Sequence, residues 1–344
     1  LKAATIGWQH NCYDGYLHVK PVVFWQQENL LQQYLPNLDR YIVLSDYDKR
    51  DYMEKLGIDC EVKINPRSFV SEKKCDVKSK RFLMATRFVY AKGLDLMMES
   101  FEEFCKEDSE WELDIIGDGD LFDQIRADAK KRHLEKRVHF VGYTNEPEKY
   151  YLNSSVFLLP SRWEGWPMVI MEAFEFGLPV IAYHMGAMDL IIDDGKTGFL
   201  PEAFDPHKFA QAMLKLAHDE ELRARMSANA IAKSDDFSID KAVKEAEQFA
   251  ADDKKKREEV DIRNGADQMV FQTEKAMGEF GDKVSESEKT EVNAKLEALK
   301  EALKGSDIEA IKAKQEDLQK AFYAISEKVY KDAAAAGQAA GAQG

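Results

Sequence analysis

Residues 160–182 read PSRWEGWPMVIMEAFEFGLPVIA, and this stretch decides the fold class. It follows one apolar run and ends in another at 179–182, with a helical pattern over 168–176 between the two. Buried strands joined by a helix predict a parallel sheet, and ligands of such sheets lie beyond the carboxyl ends of the strands. The predicted ligand site is therefore the loop that contains Glu164 and Gly165.

Three features of this loop favour an anionic, sugar-bearing ligand. Gly165 allows a close approach of the backbone to a ligand, and the helix start after it offers unpaired N–H groups with a partial positive charge. Glu164 in the loop can accept hydrogen bonds from sugar hydroxyls, and Glu172, just over one turn into the helix, can bind a ribose diol. The alternative for both glutamates is an ordinary solvated helix face.

The same strand–helix alternation extends on both sides of this loop. It predicts a parallel sheet covered by helices on both faces, in a domain over residues 80–236. The predicted strands are 82–85, 112–116, 138–141, 156–159 and 179–182, and the predicted helices are 94–106, 121–133, 148–153, 168–176 and 206–218.

Residues 1–79 carry a shorter version of this alternation and predict a separate domain. The chain opens without Met in what resembles the middle of a strand, so we expect residues to precede it. The apolar runs lie near Ile6 and at 41–44, the helical stretches at 27–34 and 47–56, and an alternating strand at 60–66.

The third region, residues 237–332, predicts an all-α helical bundle. It is rich in Lys, Glu, Asp and Ala, and Leu296, Leu299 and Leu303 fall on one helix face. Lys304-Gly305 forms a stop signal and Ser306-Asp307 a start signal. The last residues, 333–344, are an Ala/Gly/Gln tail that we expect to be disordered.

Composition excludes several classes of partner. The formal net charge is −15, which disfavours nucleic acid and anionic lipid surfaces. The four cysteines have no metal-ligand spacing, as expected of reduced thiols in the cytoplasm. No apolar run reaches the roughly 18–20 residues of a transmembrane helix.

The stretch 160–182 resembles the signature of the retaining GT-B glycosyltransferases of family 4, in which two glutamates are separated by seven residues. Four further stretches match the family's motifs in the same order along the chain. They are ATRFVYAKG at 85–93, IIGDG at 115–119, VGY at 141–143 and DGKTGFL at 194–200. The resemblance implies a GT-B fold with a Rossmann-like, doubly wound donor domain, and a partial N-terminal Rossmann-like domain on the acceptor side.

The resemblance also implies residue roles. Arg87 and Lys92 would bind the donor diphosphate and stabilise negative charge on the leaving group, Glu164 would hold the donor hexose, and Glu172 would bind the ribose. The catalytic candidates are Glu164, Arg87, Lys92 and, less directly, His10. The further donor-binding candidates are Gly117, Tyr143, Gly165, Trp166, Pro167 and Met168.

For several of these residues a purely structural or surface role is an alternative to ligand binding. Arg87 and Lys92 can be surface charges, His10 can be structural or exposed, and Trp166 can be core packing. Pro167 stands where the family has a glycine, which removes one N–H donor. No metal and no permanently bound cofactor are implied, because the cations and the helix dipole take that role.

Residues 240–335 resemble a different family, the C-terminal helical lid of bacterial DnaK-type chaperones. The resemblance depends mainly on EEVDIRNGADQ at 258–268 and TEK at 273–275. Neither an ATPase domain nor a peptide-binding β-sandwich accompanies it. We therefore expect no ATP-driven cycle and no peptide cleft.

The combined prediction is a retaining glycosyltransferase that moves a hexose from a nucleotide diphosphate sugar to a glycan or lipid-linked acceptor, joined to a lid-like helical segment. One alternative is a fragment that binds nucleotide sugar without transfer. Another is a chaperone-derived helical interaction module. The expected location is the cytoplasm, with the inner membrane face as a peripheral site.

Overall fold

The computed structural model describes residues 4–17, 27–280 and 284–341. The chain divides into two compact units, Leu1–Val243 and Lys244–Gly344. The first unit contains both of the predicted α/β domains, and the second contains most of the predicted helical bundle.

The N-terminal part of the first unit is a small parallel sheet flanked by helices. Its strands are β1 (Ile6–Trp8), β2 (Arg40–Val43) and β3 (Glu61–Val62), in the order β1-β2-β3, and its helices are α1 (Tyr13–Leu17), α2 (Glu28–Tyr34) and α3 (Asp46–Leu56). The Ser45 hydroxyl caps α3 by accepting from the Asp48 N–H, and Gly57 ends the helix in the left-handed region. The predicted strand at 60–66 is thus only two residues long.

The larger sheet has six parallel strands in the order β6-β5-β4-β7-β8-β9, which is the doubly wound arrangement predicted from the sequence. The strands are β4 (Arg81–Ala85), β5 (Glu112–Ile116), β6 (Val138–Gly142), β7 (Val156–Leu159), β8 (Val180–Ala182) and β9 (Gly198–Phe199). The helices are α4 (Leu94–Phe104), α5 (Phe122–Lys131), α6 (Glu148–Leu152), α7 (Met168–Phe176), α8 (Met188–Ile191), α9 (Pro206–His218) and α10 (Glu220–Ser234).

Apolar side chains on both faces of this sheet form the core. Phe82 and Met84 of β4 face one helical layer, and Leu83 of the same strand faces the other. This alternation explains why β4 is a continuous apolar run in the sequence. Phe237, where the predicted bundle begins, is buried in the first unit and packs edge-on against Trp166.

The second unit contains two whole helices, α12 (Glu286–Lys304) and α13 (Ile308–Gly341), and most of α11 (Ile239–Phe280). Ser285 and Glu288 form a capping box at the start of α12, and the Arg263 guanidinium donates to the Leu303 and Gly305 carbonyls at its end. Its core includes Val292, Leu296, Leu299, Ile311, Leu318 and Ile325. The predicted apolar face and helix break are therefore present.

The C-terminal tail differs from its prediction. Residues 333–344 were expected to be disordered, but α13 continues to Gly341, and residues 342–344 lie outside the described part of the chain. Alanine has the highest intrinsic helix propensity, so the run Ala333–Ala336 extends a helix that is already nucleated.

Candidate functional site

The carboxyl ends of β4 and β5 meet at Gly117, where only glycine fits. Gly117 has φ of +124°, and a Cβ atom there would lie 1.8 Å from the Thr86 carbonyl oxygen. The loops after these strands form the floor of a cavity of about 560 Å³, which we call the first cavity. It is lined by Ala85, Thr86, Arg87, Lys92, Ile116, Gly117, Asp118, Tyr143, Thr144, Pro147, Leu159 and Val169.

A second glycine, Gly93, allows Lys92 to approach the loop that contains Glu164 and Gly165, which we call the signature loop. Gly93 has φ of +62°, and a Cβ atom there would lie 1.9 Å from the Pro160 carbonyl oxygen. The Lys92 ammonium donates to both carboxylate oxygens of Glu164, at 2.7 and 2.8 Å, and the Ser161 hydroxyl donates to one of them at 2.6 Å. The Lys92 and Glu164 side chains are only 19% and 9% exposed, so bulk water screens this pair weakly.

A charged contact beside this pair was missed by the sequence reasoning. The Arg162 guanidinium makes two hydrogen bonds to Asp95, at 2.8 and 2.6 Å, and donates to the Tyr90 carbonyl at 2.9 Å. Burial raises the pKa of Asp95, but Arg162 outweighs it and holds that pKa below its usual value. The sequence does place Asp95 in the first turn of a predicted helix, but it does not reveal that Arg162 is its partner.

Arg87 and Tyr143 both line the first cavity, as predicted. Both side chains are exposed, and Tyr143 is 77% exposed. Within the part of the chain that the structure describes, no carboxylate pairs with Arg87. The cavity thus has one cation engaged by Glu164 and a second, Arg87, that remains available to a ligand.

Glu172 does not line the first cavity, although the resemblance assigns it to the same donor as Arg87 and Lys92, which do. It lines an adjoining cavity of about 900 Å³, the second cavity, and Pro147 lines both. Val169, Glu172 and Phe176 share one face of α7, because they are three and seven residues apart. Val169 contributes to the first cavity and the other two residues to the second, so one helix face runs along both.

The Glu172 side chain is half-buried and has one hydrogen-bond donor among the described residues. The Tyr151 hydroxyl donates to one of its oxygens at 2.9 Å. Burial raises the pKa of Glu172, and the hydrogen bond from Tyr151 only partly offsets this. A perturbed carboxylate in a cavity is a typical property of a functional residue.

Gly165 makes a close backbone contact that was not predicted from the sequence. A Cβ atom at Gly165 would lie 2.8 Å from the His10 carbonyl oxygen and 2.8 Å from the Asn11 Cα, so the missing side chain makes room for the loop after β1. The His10 ring is exposed and stacks on Trp8 with ring centroids 5.3 Å apart. The structure therefore places the backbone of His10 beside the signature loop.

Trp166, Pro167 and Met168 are absent from the described lining of the first cavity. Trp166 is buried against Phe237, Pro167 is buried at the N-cap position, and Met168 begins α7. Their predicted donor contacts would therefore have to come from the backbone of this turn.

Across residues 4–17, 27–280 and 284–341, no group of three or more His, Cys, Asp or Glu side chains has a geometry that could hold a metal ion. Within those same residues no helix is both long and apolar enough to cross a membrane.

Comparison with family models gives two matches. Residues 68–233 match the model described as Glycosyl transferases group 1, and residues 212–331 match the model described as Hsp70 protein. The matches overlap over residues 212–233, which belong to α9 and α10 and lie in the first unit. The overlapping residues are thus structurally part of the α/β region.

Among curated proteins, an uncharacterized glycosyltransferase of Haemophilus influenzae is 28% identical over 210 residues. The alignment covers 60% of this chain and 60% of that protein, so the chain spans less than two thirds of this relative's length.

Solved glycosyltransferase structures share the fold. A mutant of S. aureus TarM, in complex with Fondaparinux, alpha-GlcNAc-glycerol and UDP, has a TM-score of 0.63 at 22% identity and covers 70% of this chain and 50% of its own. Sucrose-phosphate synthase from Thermosynechococcus elongatus has a TM-score of 0.63 at 18% identity and covers 72% and 67%. The α/β part of the chain therefore has the predicted GT-B fold.

Proposed function

We propose, on the premise that residues 68–233 form a Glycosyl transferases group 1 domain, that the chain transfers a hexose from a nucleotide diphosphate sugar with retention of configuration. The acceptor would be a glycan or a lipid-linked glycan. The observation that carries the proposal is the Lys92–Glu164 pair next to Arg87, at a cavity beyond the carboxyl ends of parallel strands.

The two cations suit a diphosphate leaving group. Arg87 presents a fork of N–H donors that matches phosphate oxygens, and Lys92 adds a compact positive charge. As the bond from the sugar to the diphosphate breaks, negative charge grows on the leaving oxygen, and fixed cations in a poorly hydrated cleft stabilise that charge. This explains how the reaction would proceed without a metal.

The remaining roles follow from position. Glu164 would accept hydrogen bonds from the donor hexose, and Glu172 would accept from the ribose. Gly117 and Tyr143 would lie beside the nucleoside. The backbone of the loop from Gly165 to Met168 would face the donor, while the Trp166 and Pro167 side chains are buried.

His10 remains the candidate residue on the acceptor side. Its backbone touches Gly165, so the loop after β1 reaches the signature loop within the first unit. We place the enzyme in the cytoplasm, with peripheral association at the inner membrane face where the acceptor is lipid-linked.

A second candidate is binding of the donor without transfer. The chain spans 60% of the H. influenzae relative and 50% of the TarM chain, so donor binding and sugar transfer are tested separately.

Calorimetric titration with the common nucleoside diphosphates UDP, ADP, GDP and CDP, and with their hexose derivatives, tests donor binding. We expect one base to bind, and Arg87→Ala to weaken it by about tenfold to one hundredfold, because a hydrogen bond to a charged group contributes about 1.5–3 kcal/mol. Arg225→Ala, an exposed arginine on α10, is the matched control.

Labelled sugar then separates the two candidates. Release or transfer of the hexose supports the enzyme, whereas tight binding without turnover supports the binding module. If none of the ligands binds the native chain, both fail, and the helical interaction module suggested by the Hsp70 match becomes the working hypothesis.

A further inference from the structure

The Tyr151 hydroxyl is fixed in the core directly behind Glu172. Tyr151 is 2% exposed and its ring stacks with those of Phe157, at 5.9 Å and 4° between planes, and Phe176, at 5.0 Å and 25°. A buried phenol packed against two aromatic rings cannot swing to another acceptor without disturbing the core. Its hydrogen bond to Glu172 is therefore a fixed feature of the fold.

Glu172 has one oxygen committed and one open. The Tyr151 hydroxyl donates to Oε2 at 2.9 Å, and it is the one hydrogen-bond donor to this carboxylate among the residues that the structure describes. Oε1 is thus available on the side chain that lines the second cavity. Holding one oxygen restricts the rotation of the carboxylate and so gives the other a defined direction.

We propose that Tyr151 is a positioning residue of the donor site, which holds the Glu172 carboxylate so that its free oxygen accepts from the hydroxyls of the nucleotide ribose. This inference rests on the proposed function, because it requires a ribose-bearing ligand. Tyr151 itself is buried and acts only through Glu172.

The surroundings of Glu172 make this hydrogen bond important. The other charged residues that line the second cavity come from the segment before β4 and from the region of α6. They are Glu72, Lys73, Glu146, Glu148 and Lys149. Glu175 lies one turn further along α7 and does not line this cavity. Lys73 pairs with Glu148 at 3.0 Å, and none of these charges is among the influences on the pKa of Glu172.

The ionised state of Glu172 therefore depends on a neutral donor. Burial raises its pKa, and the hydrogen bond from Tyr151 lowers it. Removing the hydroxyl should raise the pKa further. Since only the carboxylate form accepts two hydroxyl hydrogen bonds, binding of a ribose would then be lost at a higher pH than in the native protein.

The experiment uses the full chain, the nucleoside diphosphate that binds most tightly and its 2′,3′-dideoxy analogue. Dissociation constants are measured by calorimetry from pH 4.5 to 8 for the native chain and for Tyr151→Phe. We expect Tyr151→Phe to weaken binding of the ribose-containing nucleoside diphosphate by about tenfold at the lowest pH. The pH below which this binding is lost should also be higher in the variant than in the native chain. The dideoxy analogue should bind both proteins equally.

Tyr150→Phe is the matched control, since Tyr150 is the adjacent tyrosine on α6 and does not contact Glu172. Glu172→Asp is a second variant, which withdraws the carboxylate from Tyr151 by one methylene and should lose the same discrimination between ribose and dideoxyribose. An unchanged pH for the loss of binding and unchanged discrimination in Tyr151→Phe, or native behaviour of Glu172→Asp, would overturn the inference and leave the proposed function standing. If no nucleoside diphosphate binds the native chain, the proposed function itself is wrong.

Discussion

Glu172 and Glu175 lie three residues apart on α7, and the two sides of this helix give their carboxylates opposite surroundings. Glu175 is 2% exposed and accepts from Arg67 at 2.7 Å, from Lys74 at 3.0 Å and from the Ser71 N–H at 2.9 Å. Glu172 accepts only from the neutral Tyr151 among the described residues.

The pKa values of the two carboxyl groups move in opposite directions. Burial raises both, but at Glu175 the Ser71 N–H, Lys74 and Arg67 outweigh burial and the pKa lies below its usual value. At Glu172 burial wins and the pKa lies above it. The difference separates a carboxylate whose hydrogen bonds are satisfied by the fold from one that retains capacity for a ligand.

The largest expected effect is a loss of unfolding free energy when Glu175 is replaced. Glu175→Ala removes the carboxylate that Arg67 and Lys74 share next to the core. Arg67 keeps its contacts with Ser234 and Asp235, and Lys74 still donates to the Ser71 carbonyl. The loss of unfolding free energy should therefore reach at most the value for a broken buried ion pair, about 3–5 kcal/mol. All five tryptophans occur at or before Trp166, so their fluorescence during urea unfolding reports on the first unit alone.

The control for this measurement is Glu172→Ala, on the same helix, which removes no ion pair and should cost clearly less. A loss below about 1 kcal/mol in Glu175→Ala would contradict the comparison, since that is the range of an exposed pair. The sign of the pH dependence is also fixed. A lowered folded pKa means that the contribution of Glu175 is present above the unfolded value and is lost as the pH falls through the folded pKa.

Much of the fold was predictable because it depends on local patterns. The helices at 168–176 and 206–218 and the strands at 112–116 and 156–159 have the predicted bounds, since apolar periodicity and caps such as Asp205 define them. The disorder expected for residues 333–344 differs from the structure, because the alanine run continues α13 despite the Gly and Gln residues around it.

The candidate site was predictable in its residue types and only partly in its contacts. Arg87 and Lys92 line one cavity and Lys92 contacts Glu164, because strand ends of a parallel sheet meet at one edge. The Arg162–Asp95 contact and the hydrogen bond from Tyr151 to Glu172 join residues far apart in sequence, which no periodicity reveals. The close approach of Gly165 to the His10 and Asn11 backbone also joins distant residues and could not be read from the sequence.

Glu164 offers an intermediate test, because it is paired with a cation like Glu175, and that cation, Lys92, lines the first cavity. A diphosphate and the Glu164 carboxylate would compete for the Lys92 ammonium. Glu164→Gln should therefore bind the nucleoside diphosphate about three- to tenfold more tightly, as a charge-assisted hydrogen bond is replaced by a weaker neutral one, and should lose sugar transfer. Calorimetry and a labelled-sugar assay measure the two effects.

Glu146→Gln is the control for this prediction, because Glu146 is exposed and lines the second cavity. Weaker binding of the nucleoside diphosphate by Glu164→Gln would mean that Glu164 positions Lys92 rather than competing for it, and the division between satisfied and available carboxylates would have to be redrawn.

The smallest expected effect is the change in unfolding free energy when Glu172 is replaced. Its dependence on pH has the opposite sign from that expected for Glu175. Because the folded pKa of Glu172 is raised, its contribution to stability is present below the unfolded value and is lost as the pH rises through the folded pKa. Glu172→Gln keeps an acceptor for Tyr151 without the charge, so it should stabilise the first unit by up to about 1 kcal/mol at pH 7, with the gain shrinking toward pH 4. Urea unfolding followed by tryptophan fluorescence at both pH values measures this. A loss of stability at pH 7 would show that the ionised carboxylate is itself well solvated or paired, and that the contrast along α7 is not electrostatic.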